Sequence, residues 1–241
     1  MGLRPVGLVQ GFFCGQLAGW SGYTTTPERN YPCACMEMNY HNTGWLGRMD
    51  ALDQAWMGAH EIALERMLVE AKSLGAHGVV GVTTEMGQPM HQSSCEMHLY
   101  GTAIVVEGAA PPEEPWTTQV AGHKLAKLVE MGFVPSSVTY ARCTAVMSEG
   151  CFMEYYGSGR AGTGYTVTPL QDAHELARTG AVDAALRRAQ GASLYGVHME
   201  VHEAEGQGAV YLTGALLGSL VRKVRPTAPM AAPVATMNLG S

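Results

Sequence analysis

The segment from Cys33 to His41 contains the side chains of this chain that are best suited to binding a metal ion. Two thiols, Cys33 and Cys35, are followed by the thioethers of Met36 and Met38 and by the imidazole of His41. Thiolates and thioethers are soft ligands that suit Cu(I) or Zn, and the i, i+2 spacing places both sulfurs on one side of an extended segment. Structural zinc sites more often separate paired cysteines by two to four residues and add a second pair, which this segment lacks. The pattern therefore predicts either a site for a soft transition-metal ion or a loop that packs its sulfur atoms as apolar groups.

A second group of candidate ligands, His91, Cys95 and His98, lies around a predicted hairpin. If Cys95 begins a strand, its side chain shares a face with Met97, and His98 points to the opposite face. Only a bend would bring the three ligands together. The spacing therefore favours solvated histidines beside buried sulfur over a metal site.

A third group, His198, Glu200 and His202, alternates onto one face of a predicted strand in the second half of the chain. Such a face can bind a ligand or transfer protons. A polar face toward solvent or toward a neighbouring subunit is the commoner arrangement. The sequence leaves both interpretations open.

No motif in the sequence predicts catalysis. There is no nucleophile elbow, no His-Glu-x-x-His helix and no acid pair of the glycosidase kind. The run Gly157–Gly164 matches G-x-G-x-x-G, but residues 165–169 separate it from the next predicted helix, so it predicts a flexible loop rather than a nucleotide site. Cys14 and Cys143, at similar places in the first strand of each half, are expected to be buried strand residues. We therefore expect a protein that is not an enzyme.

The composition limits the class of partner. The formal net charge is -6 at pH 7, so basic side chains are too few to neutralise phosphates, and nucleic acid is not expected as a partner. No apolar run approaches the roughly 20 residues that span a bilayer, and we expect a cytoplasmic protein with reduced cysteines. Hydrophobic residues make up 46% of the chain and charged residues 15%, which is apolar for two small modules and predicts a homo-oligomer whose subunits cover one another.

A near repeat indicates which elements position these residues. Residues 63–82 have the pattern of a helix, a glycine stop and a strand, and residues 184–197 repeat it with one residue fewer after the glycine. A repeat of this size predicts that one α+β unit was built twice. The proline-rich segment 109–115 cannot continue a helix or a strand and marks the boundary between the two units.

The first unit, residues 1–108, is predicted to contain a strand at 6–14, a long loop at 19–47, a helix from Asp50 and a hairpin that ends at 106. Asp50 is the expected N-cap of the helix, and Gly75 is expected to end it. The buried face of the helix is expected to recur at steps of three and four residues: Ala55, Ala59, Ile62, Ala63, Met67, Leu68, Ala71 and Leu74.

A linker, a second unit and a tail are predicted for the rest of the chain. Residues 109–132 contain the linker and a connecting helix at 117–131. The second unit, 133–221, is expected to contain a strand, a helix and the two strands of a hairpin, in that order: 133–147, 169–190, 193–201 and 209–217. Residues 222–241, rich in Pro and Ala, are expected to be disordered, and any partner that binds them is unidentified.

The first unit resembles a known family. The matching residues are Glu65-Arg66-Met67, Ala71-Lys72, Leu74-Gly75-Ala76, Val79-Val80-Gly81-Val82 and Gly101-Thr102-Ala103. They are similar to the YbjQ family, also called UPF0145, which is described as a "putative heavy-metal-binding" domain, and the resemblance covers residues 47–107. The second unit, about residues 134–218, resembles the family more loosely.

The resemblance implies a dodecin-like β-α-β-β module, in which one helix packs on a three-stranded antiparallel sheet. Single-module relatives form pentameric rings, so two tandem modules per chain imply a ring-forming homo-oligomer in which five chains would supply ten modules. Two functions follow from these expectations: a cytoplasmic ring that binds a soft metal, and a self-assembling scaffold ring without ligand chemistry. Analogy with dodecins alone adds a third hypothesis, a flat aromatic cofactor bound between subunits.

Overall fold

The structure is a computed structural model that describes residues 2–16, 46–87, 94–148, 168–206 and 209–224. The described residues form three helices and two four-stranded sheets, which confirms the predicted α+β class. Most of the predicted 19–47 loop and most of the predicted 222–241 tail lie outside the described residues.

The described elements follow one another as strands and helices of both halves. In chain order they are β1 (Leu3–Gln16), β2 (Leu46–Arg48), α1 (Asp50–Ser73), β3 (Gly78–Gly87), β4 (Ser94–Val106), β5 (Trp116–Thr117), α2 (Gly122–Glu130), β6 (Phe133–Ser148), α3 (Thr168–Ala189), β7 (Ser193–Gly206) and β8 (Ala209–Lys223).

Each half contributes a strand, a helix and a hairpin, and the last strand of each hairpin lies in the middle of its sheet. The first sheet has the order β1-β4-β3-β5, and the second has the order β2-β6-β8-β7. Both sheets are antiparallel except where β5 pairs in parallel with β3. In both halves the hairpin's first strand has a bulge next to a glycine with a φ of 63°, Gly81 in β3 and Gly196 in β7. Glycine adopts this left-handed conformation without the steric cost of a Cβ.

The sheets have four strands rather than the three that the sequence predicts. The extra strand of the first sheet is β5, which follows the proline-rich linker. The extra strand of the second sheet is β2, which lies before α1 in the chain but pairs with β6, so that Gly47 lies opposite Val146. Each extra strand is only two or three residues long. No periodic pattern can be recognised over so short a segment.

The starts of helices α1 and α2 differ from those predicted. Asp50 is the first residue of α1 rather than its N-cap, because Met49 holds the cap position and Asp50 pairs instead with Arg48, 3.0 Å away. The connecting helix α2 begins at Gly122 rather than near 117. Thr117 belongs to β5, and its hydroxyl accepts a hydrogen bond from the Val138 amide at 2.8 Å. This contact holds the segment against strand β6 rather than in a helix.

The hydrophobic core spans both halves. One cluster of buried residues contains Ala63 and Met67 of α1, Met97 of β4 and Val138 of β6. The buried stripe of α1 has a spacing of four residues, Ala59, Ala63, Met67 and Ala71. Of the other residues predicted for this stripe, Ala55 and Leu68 are half-buried, and Ile62 and Leu74 are exposed, which corrects the predicted face. Because these alanines are small, α1 approaches the sheet closely, and a Cβ at Gly11 of β1 would collide with the Ala63 carbonyl oxygen.

Candidate functional site between the two halves

A row of polar and aromatic side chains lies between helix α1 of the first half and strand β6 of the second. Asp53, Trp56 and His60 occupy one face of α1 at i, i+3 and i+7, and all three are buried. Alternate residues of β6 meet them, because side chains two apart share a face of a strand. We call this set the polar row: Asp53, Trp56, His60, Tyr140, Arg142 and Thr144.

One end of the polar row is a buried ion pair with its hydrogen bonds made. The Asp53 carboxylate accepts hydrogen bonds from the Thr144 amide at 2.7 Å, the Thr144 hydroxyl at 2.6 Å and the Arg142 Nε at 3.2 Å. Burial raises the pKa of Asp53, while the hydrogen bonds from Thr144 and the charge of Arg142 oppose that shift. Arg142 also donates to Thr213 at 3.4 Å and lies 4.8 Å from the centre of the Trp56 ring, which is within range of a cation–π interaction.

At the other end of the row, His60 and Tyr140 stack with ring centres 5.5 Å apart. Their outer polar atoms, the Nε2 of His60 and the hydroxyl of Tyr140, are buried and have no hydrogen-bond partner of normal geometry in the described part of the chain. Burial, aided by the charge of Arg188, lowers the pKa of His60 to about 3, and burial raises the pKa of Tyr140. Both side chains are therefore neutral near pH 7.

An open cleft of about 430 Å³ borders this second end of the row. His60 and Tyr140 line it, together with apolar side chains that include Leu64 and Leu220. Two arginines of α3, Arg187 and Arg188, also line the cleft. Ligand pockets typically measure about 300–1,000 Å³, so the cleft is large enough for a small molecule.

A second polar group lies on the exposed surface of β7. The Nε2 atoms of His198 and His202 lie 2.8 and 3.0 Å from the two carboxylate oxygens of Glu200. All three side chains are exposed, and the hydrogen bond from His198 lowers the pKa of Glu200. The strand alternation therefore brings these residues onto one face, as the sequence predicts, and that face is open in this chain.

Only two of the predicted soft-metal ligands lie within the described residues. Cys33, Cys35, Met36, Met38 and His41 lie outside the described residues, as does His91 of the second group. The glycine-rich run 157–164 also lies outside them.

The remaining two candidate ligands, Cys95 and His98, lie on opposite faces of β4. Cys95 is fully buried, and burial raises the pKa of its thiol to about 11. His98 is half-buried on the other face, where its ring lies 4.4 Å from that of Phe12. The two side chains do not meet, and a thiol that stays protonated is a poor ligand for a soft metal because the thiolate is the ligand form.

Cys14 is exposed, whereas Cys143 is buried, and this corrects the expectation that both are buried. Burial raises the pKa of the Cys143 thiol to about 11. Cys14 lies opposite Glu96 in the first sheet, and Cys143 lies opposite Gly214 in the second. Side chains alternate between the two faces of a strand. A cysteine that lies one position further along an otherwise similar strand therefore points to the opposite face.

Within residues 2–16, 46–87, 94–148, 168–206 and 209–224, no group of three His, Cys, Asp or Glu side chains is arranged so that it could hold a metal ion. In the same part of the chain, no helix is both long enough and apolar enough to cross a membrane.

The polar row is the candidate functional feature that the sequence patterns missed. Its signal is present in α1 as an Asp, a Trp and a His at i, i+3 and i+7. That spacing places the three residues on one helix face. A helix face with polar residues is normally predicted to be exposed to solvent. Here it is buried, because a strand from the other half of the chain covers it.

These observations define an α+β protein in which two sheet-and-helix halves enclose a buried polar interface. Residues 42–107 match the YbjQ family, whose description is "Putative heavy-metal-binding". This match confirms the resemblance to the YbjQ/UPF0145 family for that segment of the chain.

Three curated relatives illustrate the extent of the match. A UPF0145 protein of Clostridium perfringens is 35% identical over 63 residues, which are 26% of this chain and 58% of the relative. A UPF0145 protein of Thermus thermophilus is 40% identical over 63 residues, 26% of this chain and 54% of the relative. A UPF0145 protein of Acinetobacter baylyi is 31% identical over 65 residues, 27% of this chain and 59% of the relative. The chain thus spans little more than half the length of these relatives. No solved structure matches it.

Proposed function

We propose that this chain assembles with copies of itself into a ring and that the ring binds a soft transition-metal ion. The metal part is supported by the description of the family that residues 42–107 match and by the thiol, thioether and imidazole groups of residues 33–41. In this proposal the chain is a tandem pair of dodecin-like modules, the ligands are Cys33, Cys35, Met36, Met38 and His41, and five chains form the ring.

The observation that carries the assembly part is the exposed apolar side of the edge strand β7. This strand ends the order of the second sheet, and Val197 and Val201 on it are 47% and 36% exposed. A long edge strand with an apolar face is prone to pair with another chain. We therefore assign β7 to contact with a second copy of the chain.

A ring requires that β7 meet a different surface on the next copy, because only head-to-tail contacts close into rings of more than two subunits. Strand β1 at the end of the first sheet provides such a surface, since Leu8 and Phe12 on it are 81% and 41% exposed. The backbone edge of β1 is partly occupied, because Glu70 accepts a hydrogen bond from the Gln10 amide at 2.8 Å and Arg66 donates to the Phe12 carbonyl. Contact at β1 is therefore expected through the apolar side chains.

Native mass spectrometry of the full chain, purified without a metal-binding tag, tests the assembly. A lysine at a strand edge blocks pairing, so Val197→Lys should dissociate the oligomer into monomers. The matched control is Val69→Lys, which places the same charge at a valine of α1 that is 65% exposed. A monomeric wild type, or equal dissociation by both variants, would contradict the assignment of β7.

The metal content of the same preparation tests the binding part. Cys33→Ser combined with Cys35→Ser should abolish stoichiometric metal uptake and leave the oligomer intact. Cys14→Ser is the matched control, because Cys14 is an exposed thiol of β1 outside the proposed ligand set. Unchanged metal content in the double variant would mean that the site is elsewhere.

The second candidate function is a scaffold ring without ligand chemistry, and the exposed apolar strands favour it equally. A monodisperse ring that contains no metal after incubation with Zn or Cu(I) would decide for the scaffold. In both proposals the protein is cytoplasmic, is not an enzyme and has itself as its partner. Neither proposal involves nucleic acid or a membrane.

A further inference from the structure

The cleft beside His60 and Tyr140 combines features that the proposed assembly and metal site do not use. Two buried polar atoms, the Nε2 of His60 and the hydroxyl of Tyr140, have no hydrogen-bond partner of normal geometry among the described residues, although both side chains are only 2% exposed and Arg142 lies near the Tyr140 hydroxyl. An unpartnered buried polar atom is destabilising, and native proteins retain few of them without a functional reason.

The positive and negative charges of the side chains that line the cleft do not balance. Arg188 pairs with Glu61 across the gap between α3 and α1. Arg187 also lines the cleft and has neither an ion pair nor a hydrogen bond among the described residues. His60 is neutral, so the lining carries one positive charge in excess, and a guanidinium binds carboxylate and phosphate groups with matching geometry.

Apolar side chains complete the wall. Leu64, Val138 and Leu220 line the same cleft from α1, β6 and β8. A ligand that matches this lining has a negatively charged oxygen-containing group for Arg187 and an apolar body for these three side chains. The phenol of Tyr140 is protonated at neutral pH and can donate to the ligand.

We propose that the cleft between α1, α3 and the second sheet binds a small organic oxyanion. Its carboxylate or phosphate group pairs with Arg187 and accepts a hydrogen bond from the Tyr140 hydroxyl, and its apolar body packs on Leu64, Val138 and Leu220. The site lies between the two halves of one chain. It is independent of the β7 contact and of the Cys33 and Cys35 ligands.

Isothermal titration calorimetry of the full chain tests this proposal with benzoate, phenyl phosphate and inorganic phosphate as probes. Benzoate and phenyl phosphate carry the apolar body with the two alternative head groups, so their relative affinities identify the head group. Inorganic phosphate lacks the apolar body and should bind at least about tenfold more weakly than phenyl phosphate. Saturable binding of either aromatic probe is expected.

Two variants locate the bound probe. Arg187→Gln removes the unpaired guanidinium from the cleft, and Tyr140→Phe removes only the Tyr140 hydroxyl. Each should weaken binding of the tighter aromatic probe by at least about tenfold, because a hydrogen bond to a charged group is lost. Arg178→Gln, at an exposed arginine of α3 that does not line the cleft, is the matched control and should bind like the wild type.

The proposal is overturned if the wild type binds neither aromatic probe, or if Arg187→Gln and Tyr140→Phe bind as tightly as Arg178→Gln. Circular dichroism and thermal unfolding of each variant verify that it is folded. A shift of the His60 ring signals in the NMR spectrum, present with the wild type and absent with Arg187→Gln, is the independent readout expected for a probe in the cleft. Binding without that shift would place the probe elsewhere and would also overturn the proposal.

Discussion

The two ends of the polar row differ in how their polar atoms are satisfied. At the first end, Asp53 accepts three hydrogen bonds from Thr144 and Arg142, and its charge is paired. At the second end, the Nε2 of His60 and the hydroxyl of Tyr140 have no hydrogen-bond partner of normal geometry among the described residues. The first end is built to hold α1 against β6. At the second end, the unsatisfied buried polar atoms lower the stability of the protein next to an open cleft. This arrangement is expected where residues are selected for ligand binding rather than for stability.

Removing the charge at the satisfied end should have the largest effect. Asp53→Ala leaves the Arg142 guanidinium buried without its carboxylate, and breaking a buried ion pair from one side destabilises by about 3–5 kcal/mol. Chemical denaturation measures the free energy of unfolding. Asp50→Ala, which breaks the more exposed pair with Arg48, is the control and should change it by about 1 kcal/mol or less. Equal losses for the two variants would mean that the buried pair does not hold α1 against β6.

Acid should destabilise the protein through the unsatisfied end. The pKa of folded His60 is about 3, below the usual histidine value of 6.5, so the unfolded chain takes up a proton that the folded chain does not. The stability contributed by neutral His60 is therefore fully present above pH 6.5 and is lost as the pH falls from 6.5 toward 3, by about 1.4 kcal/mol per pH unit.

Equilibrium unfolding of the wild type and His60→Gln between pH 7 and pH 4 measures this loss. Glutamine does not titrate, so the variant should lack the His60 part of the acid destabilisation. The raised pKa of Asp53 has the opposite effect, because it stabilises the folded protein as the pH falls toward the usual aspartate pKa. Asp53 is present in both proteins, so its effect cancels in the difference between their stabilities. Parallel curves for the two proteins would contradict the burial of a neutral His60.

The ion pair at the mouth of the cleft should contribute less. Arg188 and Glu61 have side chains that are 29% and 60% exposed, and exposed pairs contribute about 0.2–1 kcal/mol. Glu61→Gln should reduce the free energy of unfolding by that amount in low salt and by less in high salt, because salt screens exposed charges. Thermal unfolding at two salt concentrations measures this difference. A loss that salt does not change would indicate that the pair is shielded from solvent.

The smallest effect on stability is expected for Tyr140→Phe. The hydroxyl that it removes has no partner of normal geometry in the described residues, so the variant should unfold within about 0.5 kcal/mol of the wild type or be more stable. Denaturation in the absence of any probe measures this change. A loss of more than about 1 kcal/mol would show that the hydroxyl is hydrogen-bonded in the protein and that both ends of the row are satisfied.

Several elements were predictable because their patterns are local. The helix start at Asp50, the strands at 95–106 and 133–147, and the helix at 169–190 agree with the structure to within one residue at each boundary. Hydrophobic periodicity, glycine stops and prolines act through neighbouring residues, so they can be recognised along the chain. The final hairpin was predicted too short, since β7 and β8 extend to Gly206 and Lys223.

The candidate site was not predictable by the same means. Asp53, Trp56 and His60 were left out of the predicted core because their burial depends on β6, about 80 residues away in the chain. Ile62 and Leu74, by contrast, fit the apolar spacing but are exposed, because the alanines on the neighbouring stripe bring the helix closer to the sheet.

The sequence by itself determined the α+β class, the order of the long strands and helices, and the resemblance of residues 47–107 to the YbjQ family. These properties depend on short-range periodicity and on residues that are close together in the chain. Only the tertiary structure decided that β2 joins the sheet of the other half, that α1 packs on strands of both halves, and that His60 and Tyr140 meet beside a cleft. The physical reason is that burial and hydrogen bonding depend on which distant segments pack together, and a local pattern contains no information about that partner.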